Sequence, residues 1–217
     1  MSKISLEPND SGAGTFTLAA PNSNTNRTLT LPDESGTIFS DGTGVPGSVV
    51  TGQLVSSNMP AGSVIQVVST PKLDVFSTTS STLTDVTGLS VTITPVSTSS
   101  KIMIFASVSI GSSTADNNIL LAVTRGDTEI YKADQSGTFR QRAGGGVHYM
   151  HGISQPQGTY STNIMYLDSP STTSLTTYKV KAQVNNGTMF INRTGGSTDD
   201  GNRASFVSSI TVMEIAG

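Results

Sequence analysis

His148 and His151 lie in the run HYMH and are the only imidazoles in 217 residues. Such a pair can hold a metal ion or act as a proton switch near neutral pH. Their spacing works against one shared ion, because residues three apart on a strand point to opposite faces. Three-fold symmetry could still gather one His from each copy on an axis. The competing reading is two ordinary polar surface or interface residues. The same stretch, RAGGGVHYMH, joins three glycines to Arg142 and Tyr149, with Arg140 just upstream. A Gly-rich loop cradles phosphate where a strand leads into a helix, and no helical stripe follows here. The functional reading is a loop that offers Arg140, Arg142, His148, Tyr149 and His151 to a glycan. The structural reading is a bulge or a loop at the end of a β-domain.

Other candidates are weighed the same way. Arg125-Gly126-Asp127 spells an adhesion tripeptide, but between ILLAV and TEIY it reads as a hairpin with Gly126-Asp127 at its tip. Asp116, Asp199 and Asp200 sit among Asn and Gly, and loop carboxylates are the raw material of calcium sites. They lack the spaced D-x-D-x-D-G pattern, so solvated loops are the default. No G-x-S-x-G, H-E-x-x-H or G-x-x-x-x-G-K-[ST] is present, and the expectation is a chain without enzymatic activity and without a cofactor or metal. The sequons at Asn26, Asn186 and Asn192 read as chance in a Thr-rich chain.

Composition bounds the partners. Charged residues make up 12% and the net charge is −3. That leaves no basic footprint for nucleic acid and no polybasic membrane patch. Without cysteine there is no disulfide and no thiolate metal site. No run approaches the roughly 20 apolar residues of a membrane span, and Met1 to Ser5 lead into no signal-peptide core. The expectation is a soluble chain made in a host cytoplasm, with no membrane insertion.

Ser and Thr form about three residues in ten, and they alternate with apolar residues. LSVTIT, MIFASVSI, YKVKAQV and SSITVMEI are period-2 strands. From Val64 onward the alternation predicts strands at 64–69, 75–79, 89–94, 102–110, 119–125, 128–132, 147–153, 161–167, 178–184, 188–192 and 206–215. That spacing predicts an all-β, antiparallel sandwich or barrel. Ile102, Ile104, Tyr178, Val180, Ile210 and Val212 are expected in cores and along a symmetry axis. Residues 1–45 differ. GTFTLAAP and RTLTLPDESGTIF suggest a hairpin and a short third strand, with too few apolar residues for a private core. This arm is expected to order only against a partner, through Phe16, Leu18, Leu29, Leu31 and Ile38. A linker follows at 46–63, and the main domain is 64–217.

The arm, SGAGTFTLAAPNSNTNRTLTLPDESGTI, resembles a segment of structural proteins of tailed bacteriophages, notably cyanophages. The ending, TTYKVKAQVNNGTMFINR and ASFVSSITVMEIAG, resembles the last strands of jelly-roll domains similar to tumour necrosis factor and complement C1q. The resemblance covers about residues 11–40 and 60–217. It implies a homotrimer on a virion, with other phage virion proteins as partners. The reading carried forward is a trimeric tail fibre or spike. Its arm docks on the particle, and its jelly-roll domain faces the host surface and its polysaccharide. The alternative is a head decoration protein that stabilises the capsid.

Overall fold

The structure, a computed structural model, describes residues 11–12, 59–114, 117–138, 140–148, 158–196, 201 and 203–217. The arm residues Phe16, Leu18, Leu29, Leu31 and Ile38, and most of the linker, lie outside the described residues. So do Asp116, Tyr149, His151, Asp199 and Asp200.

Eleven strands are present, with no helix among the described residues: β1 (Val64–Lys72), β2 (Phe76–Thr78), β3 (Thr84–Ile93), β4 (Lys101–Ser112), β5 (Asn118–Arg125), β6 (Thr128–Tyr131), β7 (Gly145–His148), β8 (Thr159–Asp168), β9 (Thr176–Val184), β10 (Met189–Ile191) and β11 (Ser208–Ile215). Each overlaps a strand expected from the alternation. The largest difference is β3, which begins five residues early. Its register shifts between Asp85 and Ser90, around Gly88 at φ 82°. Val86 and Leu89 are therefore both buried although three residues apart, and a bulge of this kind hides a strand from a period-2 reading.

All pairings are antiparallel. The first sheet runs β1, β11, β4, β8, with β2 extending the line of β1 and β10 that of β11. The second runs β3, β9, β5, β6, with β7 beside β5 beyond β6. The pairs nest: β1 with β11, β3 with β9, β4 with β8, β5 with β6. The sheets pack face to face around Leu89, Ile104, Ile110, Leu121, Val180 and Val212, within one larger cluster. Ile102, Ile104, Tyr178, Val180, Ile210 and Val212 are all wholly buried within the chain itself.

At one end, here called proximal, Gly62 N donates to Ala216 O (2.8 Å) and Ala216 N to Ser63 O (2.8 Å). The β5–β6 turn and the 94–100 and 169–175 connections share that end. The opposite, distal end is tied across its loops. Val184 N donates to Ser80 O (2.8 Å), Ser113 N to Thr188 O (2.9 Å) and Asn186 N to Asn117 Oδ1 (3.1 Å).

The first sheet is broken twice at one level, between β1 and β2 and between β10 and β11. Asn192 closes that seam. Its Nδ2 donates to Lys72 O (2.7 Å) and Asp74 O (3.0 Å), and its Oδ1 accepts from Ser208 Oγ (2.6 Å). Ser208 Oγ in turn accepts from Ser109 N (3.0 Å). Asn192 is fully buried at φ 69°, a left-handed conformation that Asn tolerates better than most residues. Beyond it the chain passes so close to β4 that a Cβ on Gly111 would collide with Arg193 O.

Candidate functional site

The tripeptide Arg125-Gly126-Asp127 is the β5–β6 hairpin, and each residue has a structural role. Gly126 supplies φ 59° and its N donates to Thr177 O (2.8 Å). Asp127 lies within 3.4 Å of Lys179 and 3.6 Å of Lys181. Arg125 Nη1 donates to both carboxylate oxygens of Asp168, at 2.9 and 2.8 Å.

Of the predicted glycan-contact residues, Tyr149 and His151 lie outside the described residues. Arg140 and Arg142 are exposed, on the β6–β7 connection. Arg142 Nε donates to Ala133 O, and Arg140 O accepts from Gln135 Nε2 (3.0 Å). His148 ends β7, paired with Asn118 at the distal end. The three glycines serve close packing: a Cβ would meet Tyr131 O at Gly144, the Ile164 side chain at Gly145 and Ile119 O at Gly146. They neither cradle a ligand nor lie at the tip of a loop. Among the described residues, no group of three or more His, Cys, Asp or Glu could hold a metal.

The sequence reading missed a buried polar layer near the proximal end. Tyr178 OH donates to Asp168 Oδ2 (2.7 Å), so Arg125, Asp168 and Tyr178 join β5, β8 and β9 across the two sheets. Burial, then the bond to Asp168, pushes the Tyr178 phenol well above its ordinary range. With its side chain fully enclosed, it is a brace and no solvent-facing acid. On the adjoining strands the buried Glu214 accepts from Val96 N (2.8 Å) and from Gln66 Nε2. Lys72, also buried, reaches the exposed Asp74 at 2.8 Å. Its ammonium, first through its hydrogen bond, holds the Asp74 carboxyl below its usual range. A depression of about 380 Å³ at the proximal end is lined by Met59, Ile65, Val96, Ala216, Gly217 and Ser side chains, and among these side chains only the serine hydroxyls are polar.

The two outer faces of the sandwich differ in charge. That of the second sheet carries Asp85, Lys179 and Lys181, with Asp127 at its edge. Asp85 lies 3.1 Å from Lys179 and 3.2 Å from Lys181. Partial burial raises the Asp85 carboxyl, but the two lysines outweigh this and hold it below its usual range.

Four rows of residues cross the outer face of the first sheet without a charge: Val67, Met213, Met103 and Leu167; Ser69, Thr211, Phe105 and Met165; Pro71, Ser209, Ser107 and Asn163; and, on the two central strands, Ser109 with Val207 beyond the end of β11. In the two proximal rows Val67 is 54% exposed, Phe105 38%, Met165 62% and Leu167 41%. An apolar patch of this kind on a soluble surface marks a contact site. It is the strongest functional feature in the described residues. On β4 and β11 the sequence reading chose the inward set correctly, with Ile102, Ile104, Ile210 and Val212 buried, but it did not single out the opposite face as a surface.

No family model matches the chain, and no curated protein matches it either.

Proposed function

We propose that this chain is a non-enzymatic structural protein of a tailed-phage virion, a homotrimeric tail fibre or spike built on a jelly roll. Three observations support the reading. The nested strand pairs are those of an eight-line jelly roll, in which two Greek keys wrap one core. The buried polar groups of Asp168, Tyr178, Glu214 and Asn192 are taken up by internal hydrogen bonds. The observation that carries the proposal is the four uncharged, partly apolar rows on the outer face of the first sheet, which ask for a protein partner rather than a small substrate.

The arm at 1–45 docks on the particle through Phe16, Leu18, Leu29, Leu31 and Ile38. The distal end then faces the host, with His148 on its rim and Arg140 and Arg142 along the side. Sedimentation of the purified chain is expected to give three times the 22.4 kDa chain mass. Electron microscopy of an intact particle is expected to place the protein at the tail. A stable monomer at micromolar concentration refutes the assembly, and density on the capsid shell refutes the fibre.

One observation favours the alternative, a head decoration protein. The distal connections 79–83, 113–114 and 185–188 hold Ser, Thr, Asn, Gly and one Leu, with no aromatic ring among the described residues. Sugar recognition commonly uses ring faces as stacking platforms.

A further inference from the structure

The chain holds one Asn-Gly dipeptide, Asn186-Gly187, on the connection from β9 to β10 at the distal end. An asparagine side chain is a latent electrophile, because the backbone nitrogen of the next residue is placed to close a five-membered ring on its amide carbon. A following side chain shields that nitrogen, and glycine has none. Asn-Gly commonly forms a two-residue hairpin turn between paired strands. This one does not. β9 and β10 lie in different sheets, and residues 185–187 bend between them without a hydrogen-bonded turn of their own. The bend is held from outside. Asn185 N donates to Asn118 O (3.0 Å), Asn186 N to Asn117 Oδ1 (3.1 Å) and Thr188 N to Ser113 Oγ (2.8 Å). Of the four backbone N–H groups from Asn185 to Thr188, only that of Gly187 has no partner among the described residues. Asn186 is exposed, and its side-chain amide has no partner there either. The nucleophile and the electrophile are thus both free, and water reaches them. Other asparagines lack this combination. Asn117 and Asn192 are buried, Asn118 and Asn163 lie on strands before isoleucine, and Asn185 precedes Asn186.

We propose that Asn186 is a site of spontaneous covalent modification, converting through a succinimide to aspartate and isoaspartate. Gly187 N loses its proton to solvent base and bonds to Asn186 Cγ; the Cγ–Nδ2 bond breaks and ammonia leaves. Water then opens the ring at either carbonyl. One opening gives aspartate with the original main chain. The other gives isoaspartate, whose main chain runs through Cβ and Cγ and is longer by one bond of about 1.5 Å. Both products add a negative charge to the distal end. The added methylene falls between two anchors, Asn186 N on Asn117 and Thr188 N on Ser113. There is little slack to absorb it, since even a Cβ on Gly187 would lie 2.8 Å from Ser113 Oγ and from Thr114 Cγ2. Isoaspartate therefore loosens the tie between this connection and the 113–118 segment. The chemistry is independent of the virion reading.

The full-length chain is incubated at body temperature and mildly alkaline pH, then digested and mapped by mass spectrometry beside a free peptide spanning residues 182–191. Asn186 is expected to gain about 1 Da, ahead of every other asparagine, and about 3 Da in water labelled with oxygen-18. Two isomeric products are expected on chromatography. N186Q, which would need a six-membered ring, is expected to gain no mass there and to keep its melting temperature on storage. The wild-type melting temperature is expected to fall as isoaspartate accumulates. N186D, which carries the charge without the extra methylene, is expected to melt like fresh wild type. An Asn186 that stays intact after the free peptide has converted overturns the proposal, because the bend then protects the dipeptide. So does conversion spread evenly over the exposed asparagines. A fully converted chain that melts like a fresh one overturns the two-anchor account.

Discussion

Replacing Asn192 tests how the first sheet survives its two breaks. In N192A, Lys72 O loses its side-chain donor and Ser208 Oγ its acceptor, Ser208 Oγ keeping only the bond from Ser109 N, while Asp74 O belongs to an exposed residue and can turn to water. Two buried groups each losing a hydrogen bond cost about 2–4 kcal/mol. Alanine at φ 69° adds roughly 1–2 kcal/mol of backbone strain. The expected loss is therefore about 3–6 kcal/mol. N192G loses the same hydrogen bonds without the strain, but it loosens the unfolded chain by about 0.5–1 kcal/mol. It should be the milder of the two by roughly 1 kcal/mol or less. Urea unfolding at fixed protein concentration measures both. With a slope of about 2 kcal/mol per molar urea, N192A should lower the midpoint by roughly 1.5–3 M. A drop under about 0.5 M would show that water or a local rearrangement replaces the amide, and the seam argument would fail.

Two further predictions concern titrating groups. Tyr178 has its proton held more tightly in the folded state, so its contribution is complete below the ordinary phenol value of 10.0 and is lost as pH rises beyond it. Y178F should cost about 1–2 kcal/mol at neutral pH and flatten the fall in stability above pH 10, read by melting temperature; an unchanged alkaline limb refutes the brace. Asp85 has its carboxyl held below its ordinary value of 3.8, so its contribution is present above that value and is lost as pH falls through the lower folded one. Being half exposed and shared between two lysines, D85N should cost less than about 1 kcal/mol and weaken the acid dependence below pH 4; an identical acid limb in the variant counts against the pairing.

The sequence was most legible where alternation was regular. β9 and the distal parts of β4 and β11 could be placed because a hydroxyl or other polar residue follows almost every apolar one. β3 was truncated in the reading because Gly88 shifts the phase between Val86 and Leu89. The Gly144–Gly146 run suggested a loop, yet Gly145 and Gly146 lie on a strand, and all three are small because other chain segments press against them. Long-range polar contacts were illegible in principle. Asp168 and Tyr178 are ten residues apart on different sheets, and Asn192 meets Lys72 across 120 positions. No local pattern marks such partners. The buried face of β4, β9 and β11 was legible through Ile102, Ile104, Tyr178, Val180, Ile210 and Val212, but the polar residues buried on the same side, Asp168 and Glu214, were not.

The buried polar layer also helps to fix the register. A one-residue slip of the proximal strands would turn Val67, Met213, Met103 and Leu167 inward and Gln66, Glu214 and Asp168 outward, but it would also turn Ile102, Ile104 and Val212 out of the core. Hydrogen-bond geometry opposes the slip as well. Asp168 is fixed at one position by Arg125 and Tyr178, and Glu214 by Val96 N and Gln66. A slipped strand would break these bonds and leave the buried Tyr178 hydroxyl without its acceptor, at about 1–3 kcal/mol. Hydrogen-bonded polar groups that specify register at some cost in burial are a known device, and here they act together with the aliphatic core to hold Val67, Met213, Met103 and Leu167 on the outer face.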